Sequence, residues 1–206
     1  MQECDIMRIT VAIIILNIVA FAAQVLFEPW FTEIFALTPT SALNGSWWQF
    51  FTYMFMHADP LHIFLNMFAL FMFGVVMERA LGWKKYLFLY IASGLGSAAF
   101  YILLTGISPT IMLGASGAVF GILAAFGFMF PKEVIYVYFI PLPAISAVFI
   151  FAAFELIAGI TNIMPGIANF GHLGGIITSA SVMFIWKHTS KPRNERELRD
   201  YRFYWE

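Results

Sequence analysis

Six long apolar runs dictate the solvent in which this chain of 206 residues folds. They lie at roughly 8–27, 62–79, 85–105, 116–131, 136–160 and 169–187. A helix that crosses the hydrocarbon of a bilayer needs about 17–25 apolar residues, and each run is of that order. Within hydrocarbon every backbone N–H and C=O must be satisfied inside the segment, so the runs are predicted to be helices. Charged residues make up 11% of the chain, against about 25% in a soluble domain. The fold class that follows is an all-α polytopic membrane protein with six transmembrane helices, the whole chain forming one membrane domain.

The basic residues set the orientation. Arg8 precedes the first run, Arg79, Lys84 and Lys85 follow the second, Lys132 follows the fourth, and Lys187, Lys191, Arg193, Arg196, Arg199 and Arg202 follow the sixth. These are all 11 Lys and Arg, and six alternating spans put every one on the same side. Basic loops stay in the cytoplasm, so both termini are predicted there. The start Met1-Gln2-Glu3-Cys4-Asp5 carries no cationic stretch, and no small-residue cleavage site follows the first run. That run therefore reads as a retained span, not a signal peptide. Cys4 is the single cysteine and reads as an inert terminal thiol, with no internal disulfide. With a net charge of −1, nothing suggests nucleic acid as a partner. The first outside loop, about residues 28–61, is long for a connection and holds Trp30, Phe31, Phe35, Trp47, Trp48, Phe50 and Phe51. This density suggests short interfacial helices or, more simply, an aromatic belt. The tail, 188–206, is charged, with Glu195 and Arg199 spaced for an i,i+4 pair on a cytoplasmic helix.

A few polar residues stand inside the apolar runs, where polar groups are costly. Ser116 follows a loop containing Gly106, Ser108, Pro109 and Gly114 and should open the fourth helix. A helix N-terminus offers unpaired N–H groups and a positive dipole end, which is what a developing oxyanion needs. The plain alternative is an N-cap or small packing residue. His172 lies just inside the sixth run. Gly171, Gly175 and Ser179 form one small-residue stripe there, and Gly117 and Gly121 form another on the fourth run. Such stripes let helix backbones approach closely. If they face each other, Ser116 and His172 are adjacent and at similar depth, as the nucleophile and base of serine hydrolysis require. His62 and Asn66 share a helix face four residues apart, and His57 precedes them. They are either oxyanion donors or a polar clamp between helices. Zinc on His57, His62 and His172 is disfavoured, because no HExxH motif or suitably spaced acid accompanies them. Asp59 lies in the first loop and Glu155 in the outer half of the fifth run. Neither is predicted to orient His172, so the expectation is a Ser–His dyad without an acidic third member. Glu155 reads as a protonated structural hydrogen-bond donor or as a functional group in its own right.

Together these residues resemble the rhomboid family of intramembrane serine proteases, in its bacterial form with a minimal six-span core. The resemblance runs from about Trp47 to His172 by motif. It rests on His57, His62 and Asn66, on Gly114-Ala115-Ser116-Gly117, and on His172 followed by Gly175. It implies Ser116 as nucleophile, His172 as general base, and an oxyanion site from His62, Asn66 and the Ser116 backbone. It also implies a water-filled cavity open to the outside, a cap loop near 161–170, and lateral substrate entry beside the fifth span, with Leu65 and Phe154 lining the gate. The location it implies is the bacterial inner membrane. There are departures. Trp48-Gln49 stands where the family often has Trp-Arg, which bears on loop anchoring. Phe120, four after the serine, can stack on the histidine but not hydrogen-bond. Gly171 replaces the usual alanine, and Ser179 replaces the last glycine of the stripe.

The reaction this implies is acyl transfer at a carbonyl near the outer end of a transmembrane segment, in single-span or polytopic membrane-protein substrates within the lipid bilayer. No cofactor, metal or nucleotide is called for. Two other classes are compatible with parts of the sequence. A non-proteolytic client-binding protein of the same family would be favoured by loss of Ser116 or His172, and both are present. A proton-coupled transporter using His62, His172 and Glu155 would be expected to show repeat symmetry, and the sequence has none.

Overall fold

The fold is given by a computed structural model that describes residues 8–189 apart from 138 and 165. Cys4, the five basic residues beyond Lys187, the Glu195–Arg199 pair and nearly all of the predicted tail lie outside the described residues.

Six helical segments follow the six apolar runs. They are α1 (Arg8–Phe27), α5 (Pro60–Ala69) continuing through a π-helical turn (Leu70–Gly74) into α6 (Val75–Leu81), α7 (Trp83–Thr105), α8 (Ser116–Met129), α9 (Ala144–Thr161) and α10 (Asn169–Thr189). Four segments, Arg8–Phe27, Pro60–Leu81, Trp83–Thr105 and Ala144–Thr161, are long and apolar enough to cross a membrane. α10 has 21 residues, whereas α8 has only 14. The architecture is that of an all-α integral membrane protein.

Several boundaries shift by one or two residues from the sequence reading, and two of the shifts matter. α10 runs to Thr189, into what reads as tail. More substantially, the fifth span does not begin at 136. Residues Val134–Val137 and Ile140–Pro143 form an antiparallel hairpin, β1 and β2, with Val134 opposite Pro143 and Val137 opposite Ile140. The physical reason is local. Val-Ile-Tyr-Val is β-favouring, and Pro141 and Pro143 lack the N–H a helix needs while pushing the residue before each into extended backbone. Hydropathy counts these residues as span because they are apolar, and it cannot see the prolines.

Packing inverts the soluble pattern. On α1, Thr10, Asn17 and Gln24 are spaced by seven and buried, while Ile15, Leu16, Ile18, Val19, Val25 and Leu26 are exposed. Lipid is as apolar as leucine, so the polar stripe turns inward to find partners. Glu78 of α6 caps α1 from outside the helix. Its carboxylate accepts from Ile9 N at 3.0 Å, Thr10 N at 2.8 Å and Thr10 Oγ1 at 2.7 Å, satisfying donors a helix start leaves free. The start of α1 and the end of α6 therefore meet. At the start of α7, Lys85 Nζ lies 5.2 Å from the ring of Trp186 near the end of α10.

α8 is wedged between α7 and α10. A Cβ added to Gly175 would strike the backbone carbonyl of Gly117, and one on Gly121 would come 3.2 Å from the carbonyl of Gly175. The two predicted stripes do face each other. A third stripe, on α7, is not evident from the glycine pattern: Ser97 fills the space beside Gly117, and Ser93 the space beside Gly121.

The long connection between α1 and α5 contains the short helices α2 (Trp30–Phe35), α3 (Pro39–Leu43) and α4 (Gln49–Thr52). It holds the loop before α8 in place. Leu37 and Met112 exchange backbone hydrogen bonds of 2.9 and 2.8 Å, and Gly114 N donates to Tyr53 O at 3.0 Å. Gln49, standing where the family often has arginine, does anchor the loop. It is buried, accepts from Thr38 N at 3.1 Å, and donates to the carbonyls of Glu33 and Ile34 at 3.3 and 3.2 Å.

Candidate active site

Ser116 is the first residue of α8. The turn that aims it depends on Gly114, whose φ of +121° is a conformation side chains disfavour. A Cβ at Gly114 would also sit 2.9 Å from Nε2 and Cε1 of the His62 imidazole. The glycine before the serine is thus required twice, by backbone angle and by space.

His172 lies in the first turn of α10, with its N–H donating to Ala168 O at 3.1 Å. Its Nε2 is 2.7 Å from Ser116 Oγ. Phe120, one turn beyond Ser116, stacks on the imidazole at a centroid distance of 4.6 Å and an interplanar angle of 27°. Phe151 of α9 meets Phe120 edge-on at 5.9 Å. The ring is therefore held by an aromatic face as well as by the contact at Nε2.

The expectation that no acid stands near His172 is corrected. Glu155 Oε1 of α9 lies 3.0 Å from His172 Nδ1. The approach is in ion-pair range but not aligned as a hydrogen bond, and both Nδ1 and Glu155 Oε2 are buried without a hydrogen-bond partner. Sequence position gives the depth of Glu155 but not which way α9 is rotated, and rotation decides the contact.

His62 enters from α5. Its backbone N–H is capped by Asp59 Oδ1 at 2.9 Å, and its Nδ1 accepts from Ala58 N at 3.3 Å. On a neutral ring this bond puts the hydrogen on Nε2, the nitrogen that lies against Gly114. Asn66 donates one amide N–H to the carbonyl of His62 at 2.9 Å and has a second to give.

His57 is brought close to His62, with ring centroids 5.0 Å apart. It sits in the connection between α1 and α5, fully buried, and its backbone N–H donates to Gln24 Oε1 at 2.9 Å. Burial, with His62 adding to it, pushes its imidazole down to about 4. Among the described residues, no three His, Cys, Asp or Glu side chains are gathered as for a metal ion. Leu65 on α5 and Phe154 on α9 are both exposed.

A family model for the rhomboid domain matches residues 44–188. Over 209 residues the chain is 30% identical to rhomboid protease AarA of Providencia stuartii, covering 84% of this chain and 70% of that protein. It is 34% identical over 159 residues to RHOMBOID-like protein 12, mitochondrial, of Arabidopsis thaliana, covering 69% of this chain and 46% of that protein. It is 30% identical over 129 residues to Rhomboid-type serine protease 2 of Emericella nidulans, covering 63% and 25%. The chain thus spans less than half the length of the latter two. The class these comparisons give is a serine hydrolase embedded in the membrane. Within that class, the chain belongs to the rhomboid family.

Proposed function

We propose that this chain is an intramembrane serine endopeptidase in which Ser116 is the nucleophile and His172 its general base. The observation that carries the reading is the 2.7 Å approach of His172 Nε2 to Ser116 Oγ at the half-buried start of α8. Ser116 Oγ attacks a substrate carbonyl as its proton passes to Nε2. The same proton then goes to the leaving amide nitrogen, and water releases the acyl-enzyme by the reverse steps.

The oxyanion would be met by the Ser116 N–H at the positive end of α8, by Nε2–H of His62 and by the second amide N–H of Asn66. By analogy with soluble serine proteases, each donor is worth about 2.7–4 kcal/mol. The substrates are transmembrane segments of single-span or polytopic membrane proteins, entering from the bilayer between Leu65 and Phe154 beneath the connection 162–168. A helix hides its carbonyls, so the segment must unwind locally before it is cut. The site faces outside, both termini face the cytoplasm, and the compartment is a bacterial inner membrane.

The test is cleavage of a tagged single-span substrate in liposomes by the wild type, Ser116→Ala and His172→Ala. A new fragment from the wild type and none from either variant is the expected outcome. Equal cutting by all three would refute the assignment.

A further inference from the structure

The serine chemistry above works only if Nε2 of His172 carries a lone pair when substrate arrives. On a neutral imidazole the hydrogen must then sit on Nδ1, and something must hold it there. Ser116 occupies Nε2 and Phe120 covers one face of the ring. The group at Nδ1 is Glu155, 3.0 Å away and only 5% exposed. A carboxyl group in the middle of an apolar helix is costly and calls for a reason.

We infer that Glu155 is a positioning residue for His172: its carboxylate takes the Nδ1–H, so that Nε2 is left as the base. This rests on the reading of Ser116 and His172 given above. The alternative, a protonated Glu155 donating to Nδ1, places the ring hydrogen on Nε2. There it would point at Ser116 as a donor, and no base would remain. The two roles are mutually exclusive, and only the ionised one is compatible with catalysis. In the step itself the proton moves from Ser116 Oγ to Nε2 as the O–C bond forms, and from Nε2 to the amide nitrogen as the C–N bond breaks. Glu155 keeps its charge throughout and stabilises the imidazolium formed between the two transfers. The imperfect alignment in the free protein fits a site whose hydrogen bonds tighten when substrate binds.

The test uses the full chain in liposomes with a tagged single-span substrate. Glu155→Ala is expected to lower kcat by about tenfold or more, part of the roughly 10²–10⁴-fold a positioned base contributes. KM should stay within about twofold, because no substrate contact is lost. Glu155→Gln, which keeps an acceptor oxygen but no charge, should fall between that variant and the wild type. In a His172→Ala background Glu155→Ala should cause no further loss in labelling of Ser116 by a fluorophosphonate, since its effect passes through the imidazole. Unchanged kcat in both variants, or an undiminished loss without His172, overturns the inference. If Glu155→Ala does not fold, ¹⁵N spectra of wild-type His172 decide: hydrogen on Nδ1 supports it and hydrogen on Nε2 overturns it. Ser116→Ala is run beside them. If it cuts like the wild type, the protease reading fails along with this one. If it is inactive while Glu155→Gln and Glu155→Ala are fully active, only the role of Glu155 fails.

Discussion

His57 keeps an imidazole in a fully buried loop position, and its acid sensitivity follows from that. Folded, it protonates at about 4, below the ordinary value of 6.5. The unfolded chain therefore binds a proton first as the pH falls. The stability this residue contributes is complete above about pH 6.5 and is lost between there and about pH 4, by at most ~3 kcal/mol. Thermal unfolding in detergent should show that decline, and His57→Phe should flatten it. Gly114 is the other residue with a sharp consequence. Gly114→Ala meets both a disfavoured backbone angle and the His62 ring, and displacing Ser116 by even about 1 Å should cost on the order of 10²-fold in cleavage rate. At this scale, what the sequence makes legible is chemistry out of place. Ser116, His172, His62 and Asn66 stand out because polar groups in apolar runs need partners. Glu155 stands out for the same reason, yet its partner does not, because helix rotation leaves no trace in a run that is apolar on every side. Gln49 and Glu78 are the opposite case. Their roles lie in bonds to distant backbone atoms, and no local pattern announces such bonds.

Among the elements, the α7–α8–α10 contact is the least forgiving. Gly175→Ala would push a methyl group into the Gly117 carbonyl, which is helix backbone with no flexible end to yield. A loss of about 1–3 kcal/mol is expected, read as a lower unfolding temperature. Ser97→Ala is the contrasting variant. Its Oγ is buried without a hydrogen-bond partner, so removing it should change stability by about 0.5 kcal/mol or less. Glu78→Ala would strip three acceptor contacts from the start of α1 and should cost about 2–3 kcal/mol by the same measurement. Helices with unbroken apolar runs are easy to find from sequence, and α1 begins and ends where the run does. The hairpin is harder, since Val134–Val137 and Ile140–Pro143 are as apolar as the span that follows them. There the decisive signal is two prolines, which set backbone angles without changing hydropathy.

For the whole molecule, the lysines and arginines are the more informative residues. Among the described ones, Arg8 and Arg79 stand where α1 meets α6, Lys84, Lys85 and Lys187 near where α7 meets α10, and Lys132 just beyond the end of α8 opposite Ser116. In a Cys4→Ser background, Gly45→Cys in sealed right-side-out vesicles should react at once with an impermeant maleimide. Phe139→Cys, at a hairpin tip that is 94% exposed, should react only after the vesicles are opened. The reverse pattern would invert the proposed topology. Within that topology the brevity of α8 takes on a meaning of its own. Its 14 residues rise about 21 Å, where the hydrocarbon is about 30 Å thick. With the inner end of α8 at the inner boundary, the hydroxyl of Ser116 rests about 9 Å beneath the outer one. The protein then acts as a ruler. It measures down from the water line, and two partners unlike in sequence but anchored with the same overhang present the same bond to it. Thinning the bilayer by about 3 Å should move the cut by one residue of extended chain, without any change in the enzyme.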